Sequence, residues 1–164
     1  MSDLLVPLLK LPQLEPHVQR LSADGVAIRR ARSYERSLVR RFILGRFSES
    51  WADEAIVSFG RTPIGCFIAT KQKRIVGFAV VEATAPNFFG PTGVDPAHRG
   101  KGIGTALVIA ALHGLREVGY VYAIIGWAGP VAFYARTVNA TPIANSEPGI
   151  YSDILAADPD EPPR

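Results

Sequence analysis

Arg99-Gly-Lys-Gly-Ile-Gly-Thr-Ala-Leu107 sets glycines at positions 100, 102 and 104, flanks the first with two cations, and runs straight into a helix-like segment. Glycine loses the most freedom on ordering and is the poorest helix former after proline. Three of them beside a helix start call for a reason beyond a turn. The segment before them reads as a strand ending near Val94, followed by a short turn holding Pro96. Strand, glycine loop and helix together make an anion site. The first helical turn carries unpaired N–H groups and partial positive charge, and residues without side chains let a phosphate approach them. Arg99 and Lys101 add full charges, and Thr105 adds a hydroxyl.

Two known phosphate motifs fail on spacing. A P-loop needs Ser or Thr after its Gly-Lys, but Lys101 is followed by Gly102. The dinucleotide fingerprint needs Gly or Ala three residues after its second glycine, where Thr105 or Leu107 stands in the two possible registers.

Apolar periodicity extends the pattern outward. Val26 to Ala31 alternates as a strand, and Ser33 and then Ser48 or Ser50 open two helices. Leu38, Phe42 and Ile43 form the expected apolar stripe of the first. Pro63–Lys71 and Arg74–Ala83 read as a hairpin, and Phe88–Val94 as a strand interrupted by Pro91 and two glycines. Gly104–Val118 is a helix, Tyr120–Trp127 a buried strand, and Pro130 opens a helix ending near Asn139. Ala140–Ala144 and Ile150–Leu155 are expected to close the chain as a hairpin. The order β-α-α-β-β-β-α-β-α-β-β is that of an α/β (α+β) mixed β-sheet flanked by helices. Residues 1–24 read as an N-terminal extension with one or two helical turns after Pro12, residues 25–156 as the domain, and 157–164 as a disordered tail.

Composition narrows the function classes. The chain has 164 residues, a net charge of +3 and a single cysteine, Cys66. The charge falls short of a nucleic-acid signature, so such a partner is not expected. The absence of a long apolar run argues against a membrane helix, and one cysteine suits a reducing cytoplasm. Cys66, mid-strand, reads as a small buried hydrophobe rather than a nucleophile. His17, His98 and His113 lack metal-ligand spacing, so no metal is expected.

Arg99-Gly-Lys-Gly102-Ile-Gly104 resembles the Arg/Gln-x-x-Gly-x-Gly/Ala signature of the GNAT superfamily of acetyl-coenzyme A-dependent N-acetyltransferases. With the element order, the resemblance covers about residues 25–155. It implies a GNAT-like fold and transfer of acetyl from acetyl-coenzyme A to a primary amine, in a ternary complex, on a small-molecule or peptide acceptor. It implies that Thr92, Gly93 and Val94 hold the pantetheine arm, with the Val94 N–H on the thioester oxygen. Arg99, Gly100, Lys101, Gly102, Ile103, Gly104 and Thr105 would hold the pyrophosphate. Phe133 and Tyr134 would complete the cofactor site, with Tyr134 protonating the leaving thiolate. The acceptor would be set by the first two helices and the last hairpin loop.

The resemblance supplies no base, because Phe88 stands where many relatives carry a glutamate. Glu82 is a candidate acting through water, although a solvated glutamate is the commoner case. Glu147 could bind an acceptor cation, and Trp127 could line the acceptor pocket or pack in the core. A non-catalytic acyl-coenzyme A-binding module and a toxin-like aminoacyl-tRNA acetyltransferase remain as alternatives. The oligomeric state, a homodimer included, stays open.

Overall fold

A computed structural model of the chain describes residues 1–156. Seven strands form one mixed sheet: β1 (Leu4–Pro7), β2 (Val26–Arg30), β3 (Cys66–Lys71), β4 (Arg74–Val81), β5 (Phe88–Val94), β6 (Tyr122–Ile125) and β7 (Thr141–Pro142). Their spatial order is β2-β3-β4-β5-β6-β1-β7. Neighbours are antiparallel except β5 and β6, which run parallel. Among the described residues five α-helices flank the sheet: α1 (Glu15–Ala23), α2 (Arg36–Leu44), α3 (Glu49–Val57), α4 (Ile103–Glu117) and α5 (Val131–Val138).

Side chains alternate across a pleated strand, so one strand serves two cores. On β3, Phe67 and Ala69 join the core under α1, α4 and α5, while Cys66 and Ile68 join the core under α2 and α3. α4 is apolar nearly all round, with Leu107, Leu112 and Leu115 fully buried, as a helix must be when strands and helices enclose it. Each such leucine contributes roughly 1.5–3 kcal/mol through burial.

Most local signals fall where the residues place them, but Ser33 does not cap α2: it lies in a 3-10 turn, Ser33–Glu35, and Glu35 is the residue from which the helix starts, without a side-chain cap. Gln72 and Lys73 both take left-handed backbone angles (φ 49° and 61°), which matches the right-handed twist of the β3–β4 hairpin. Ser48 caps α3 by accepting the Trp51 N–H at 3.1 Å. Asn139 closes α5 with φ 56°. On α2 the buried residues are Val39, Phe42 and Ile43, and Leu38 faces solvent instead of joining the stripe.

The two ends of the chain differ from expectation. Residues 1–24, read above as an extension, supply β1 and α1. β1 lies between β6 and β7, and Leu4, Val6 and Leu8 have no exposed surface. β7 pairs with β1, and Gly149–Tyr151 is a 3-10 turn, so the expected closing hairpin with Ile150–Leu155 does not form. The alternating Leu4, Val6 and Leu8 bury fully at that position, whereas Ile150, Ile154 and Leu155 stay exposed. The expected disordered tail, 157–164, lies outside the described residues. Among the described residues no helix is long and apolar enough to cross a membrane.

Candidate functional site

β5 and β6 pair at only two positions, Phe88–Ile124 and Phe89–Ile125. From Gly90 onward they part. The interruption by Gly90 and Pro91 explains why, since proline has no N–H for the ladder. The register against β4 also shifts between Ala79 and Val81, which marks a bulge.

The gap opens into a cavity of about 860 Å³. One side is lined from the α4–α5 face by Ile103, Val108, Phe133 and Tyr134, and the other from the α2–α3 face by Phe47 and Trp51. The cavity therefore reaches through the sheet. Of the residues expected at the cofactor, Thr92, Gly93, Val94, Arg99, Gly100, Gly102, Ile103, Gly104, Thr105, Phe133 and Tyr134 all line it. Lys101 does not; its side chain is exposed outside the cavity.

Backbone donors face this space. The Asp95 N–H bonds the Val76 carbonyl at 2.9 Å, so Val94 and Gly77 form a non-hydrogen-bonded pair. The Val94 N–H accordingly points away from β4, into the gap. Arg99 Nε donates to the Val94 carbonyl at 3.0 Å and ties the loop to the strand. In α4 the first helical donor is the Ala106 N–H, bonded to the Gly102 carbonyl at 3.1 Å. The N–H groups of Ile103, Gly104 and Thr105 precede it without helical partners. Gly100 and Gly102 have φ of 76° and 83°, a region L side chains avoid, and Gly102 is the residue from which α4 starts. His98 Nδ1, on the same rim, is buried without a hydrogen-bond partner among the described residues, with Asp95 Oδ1 at 4.0 Å. An orphaned nitrogen, unpaired helix donors and a side-chain-free loop suit a phosphate-bearing ligand.

Gly93 has a different reason to be glycine: a Cβ there would stand 2.5 Å from the Phe47 ring. Phe47 stacks on Trp51 at 5.6 Å and packs edge-on to Phe78. Arg46, next to it, pairs with Asp95 at 2.5 Å, which holds the Asp95 carboxyl below its usual range and anchors the α2–α3 connection over the loop.

Tyr134 is buried, edge-on to Phe89 and Phe133, and its hydroxyl makes no hydrogen bond among the described residues. Burial pushes that hydroxyl up to about 12, so it keeps its proton through the neutral range. Glu82 lies outside the cavity. It accepts the Tyr120 hydroxyl at 2.8 Å, and its own φ of 56° turns the chain at the end of β4. Glu147 also lies outside and accepts from Ser2 Oγ at 3.1 Å. Trp127 lines the cavity and is 41% exposed, a wall rather than core packing. Cys66 is fully buried, and burial pushes its thiol up to about 12. His113 bonds the Pro12 carbonyl at 2.9 Å and pins the N-terminal segment to α4 instead of facing solvent.

Sequence reasoning missed Phe47, Trp51 and Ala128 as lining residues. Phe47 and Trp51 carried one usable signal, two aromatics flanking the Ser48 cap.

The model of the acetyltransferase (GNAT) family matches residues 31–137. Comparison with curated protein sequences gave no match. One similar solved structure is a GCN5-related glucosamine N-acetyltransferase region in a fungal multi-domain GH3 β-N-acetylglucosaminidase, 16% identical, with a TM-score of 0.70 over 87% of this chain and 19% of that one. Another is a GCN5-related N-acetyltransferase from Sphaerobacter thermophilus, 17% identical, with a TM-score of 0.60 over 87% of this chain and 48% of that one. The chain thus spans a fifth and about half of those two chains, and at these identities the likeness is one of fold.

Proposed function

The chain belongs to the GNAT acetyltransferase family, and from that premise we propose that it transfers acetyl from acetyl-coenzyme A to a primary amine, on a small-molecule or peptide acceptor. The observation that carries the reading is the cavity through the β5–β6 gap, with unpaired donors at one end and the Val94 N–H at the parting of the strands. Structures of family members from Brucella melitensis and Escherichia coli hold acetyl-coenzyme A and coenzyme A.

Bound in this cavity, acetyl-coenzyme A supplies an acetyl group activated as a thioester. The N–H groups of Ile103, Gly104 and Thr105, with Gly100, Gly102 and the free guanidinium nitrogens of Arg99, would hold its pyrophosphate. Thr92, Gly93 and Val94 offer backbone groups to the pantetheine amides, and the Val94 N–H stabilises negative charge on the thioester oxygen. Tyr134 holds the proton that a departing thiolate needs. A thiol of ordinary pKa near 8.5 leaves with help from a weak acid, so a tyrosine kept protonated is sufficient. Cys66 takes no part, which favours direct attack by the amine over an acyl-enzyme.

The test combines binding with turnover. Acetyl-coenzyme A should raise the thermal midpoint, and a midpoint that does not move sinks the cofactor assignment. Amines should then stimulate thiol release, and Tyr134→Phe should lower kcat about 10–100-fold while leaving the acetyl-coenzyme A shift in place. Binding without amine-stimulated release would leave a binding module and refute the transferase.

A further inference from the structure

The carbon of a thioester is planar and carries three groups: the oxygen, the sulfur and the acyl chain. Once oxygen and sulfur are directed, the third direction follows. The Val94 N–H is the donor for the oxygen, and Tyr134 stands where the sulfur leaves, on the face that packs against α4 and α5. The acyl chain is then turned toward the opposite face of the sheet, under α2 and α3. Phe47, from the connection between those two helices, covers that face beside Val94.

Strand register sets the sides. Gly77 of β4 pairs with Val94, and a Cβ on Gly77 would meet Leu107 and Ile103 of α4 at 2.9 and 3.4 Å. Val94 likewise sends its side chain toward α4, with Cγ2 3.6 Å from where a Cβ on Gly104 would stand. Phe78 of β4 pairs with Gly93 and belongs to the core under α2 and α3. Side chains alternate along a strand, so Gly93 presents its bare Cα to that second face. Phe47 fills the space a Gly93 side chain would take: its Cζ and Cε1 lie 2.5 and 2.6 Å from where a Cβ would stand. The ring therefore rests on the backbone just before the Val94 N–H and lines the cavity there.

The ring is held from several sides. It packs edge-on to Phe78 at 5.5 Å and to Phe42 at 6.2 Å, and it stacks on Trp51 at 5.6 Å. The Phe47 N–H donates to the Ile43 carbonyl at 2.8 Å, which fixes the backbone that carries it. The preceding residue, Arg46, pairs with Asp95 and lays its guanidinium 4.7 Å from the centre of the Phe42 ring. Phe47 is thus tied at one end to α2 and at the other to the residue that follows Val94. A side chain packed this closely yields little room, and added methylenes meet strain instead of space.

We propose that Phe47 is the wall that sets acyl length, admitting an acetyl group beside Val94 and excluding longer straight-chain acyl groups. The inference rests on the acetyl-coenzyme A reading above. It makes Phe47 a specificity residue for the acyl donor, separate from whatever selects the amine. Direction and rigidity decide the outcome. In an open apolar pocket each added methylene raises affinity about fourfold, so a site without a wall prefers the longer thioester. Against a braced ring the added carbons gain no burial and force the packing apart, so the preference runs the other way. Glycine at position 93 is what lets the ring come this close to the reacting carbon.

The experiment measures binding by titration calorimetry, with no amine present, for wild type, Phe47→Leu and Phe47→Ala. The probes are coenzyme A and its acetyl, propionyl and butyryl thioesters. Each thioester's Kd is divided by that of coenzyme A on the same variant, so a general loss of affinity cancels. Wild type should bind the acetyl thioester about tenfold more tightly than the butyryl one, with propionyl between them. Phe47→Leu should narrow that ratio to about threefold, and Phe47→Ala should erase or invert it, as each methylene gains burial. Phe47→Leu keeps an apolar side chain against Phe78, so it decides the matter if Phe47→Ala does not fold. A wild type that binds butyryl-coenzyme A as tightly as acetyl-coenzyme A would overturn the inference. So would folded Phe47 variants that keep the wild-type ratio. A wild type that binds none of the four probes would instead overturn the cofactor reading beneath it.

Discussion

Gly102→Ala and Gly104→Ala, two residues apart in one loop, should change stability in opposite directions. Gly102 sits at φ 83° and ψ 3°, in the left-handed region, as the residue from which α4 starts. Placing an alanine there costs about 1–2 kcal/mol, offset by roughly 0.4–1 kcal/mol because alanine has less freedom to lose on folding. The net loss is about 1 kcal/mol, or roughly 2–4 °C in the thermal midpoint for a chain of this size. The new Cβ would also stand 3.0 Å from Arg20 Nη2, the far end of a flexible side chain that can swing away, so steric crowding adds little. Gly104 lies inside α4, and a Cβ there would meet Val94 Cγ2 at an ordinary 3.6 Å. Alanine in a helix is better than glycine by about 0.5–1 kcal/mol, so Gly104→Ala should melt roughly 1–4 °C higher than wild type. Thermal melts followed by circular dichroism give both signs. With acetyl-coenzyme A at about 100 times Kd, wild type should gain about 2.7 kcal/mol, and Gly102→Ala should gain less because its Cβ narrows the approach to the helix donors. If Gly102→Ala melts with wild type, or Gly104→Ala falls as far as Gly102→Ala, the left-handed cradle is not what these glycines provide.

Two further outcomes follow from charge and burial. Glu35 accepts two bonds from Arg29, at 2.6 and 2.8 Å, and one from the Arg32 N–H, which together hold its carboxyl down at about 2. A depressed carboxyl stabilises the fold above its unfolded pKa and loses that contribution as pH falls through the folded value. Glu35→Gln should therefore cost about 2 kcal/mol in urea melts at neutral pH, discounted because Arg29 is partly exposed, and the gap to wild type should close as pH drops from about 5 to 2. A gap independent of pH would refute the ion-pair account. Cys66, its thiol pushed up to about 12, should resist a thiol reagent in the folded protein and react fully in denaturant. Cys66→Ala should retain acetyl transfer, and loss of transfer with the fold intact would revive a covalent intermediate.

What could be read along the chain and what could not divides by sequence distance. Asn139 reveals the end of α5 because a left-handed preference belongs to one residue. Pro91 reveals the interruption of β5 because a missing N–H is also local. β1 was hidden for the opposite reason. Its partners on β6 and β7 lie more than a hundred residues away, and Pro7 breaks the alternation that would have marked a strand. Glu82 illustrates the same limit: it looked near the chemistry in sequence, yet Tyr120 and not the cavity receives it.

By itself the sequence determined the glycine loop before α4, the buried α4 and the helix–strand order from β2 to α5, since each follows from backbone preferences and apolar spacing within a few residues. Only the tertiary structure decided that the N-terminal segment completes the sheet, that the cavity reaches both faces, and that Phe47, Trp51 and Trp127 line it together. Those facts depend on which strands pair and which helix covers which face, and such pairings are settled by burying the whole core at once.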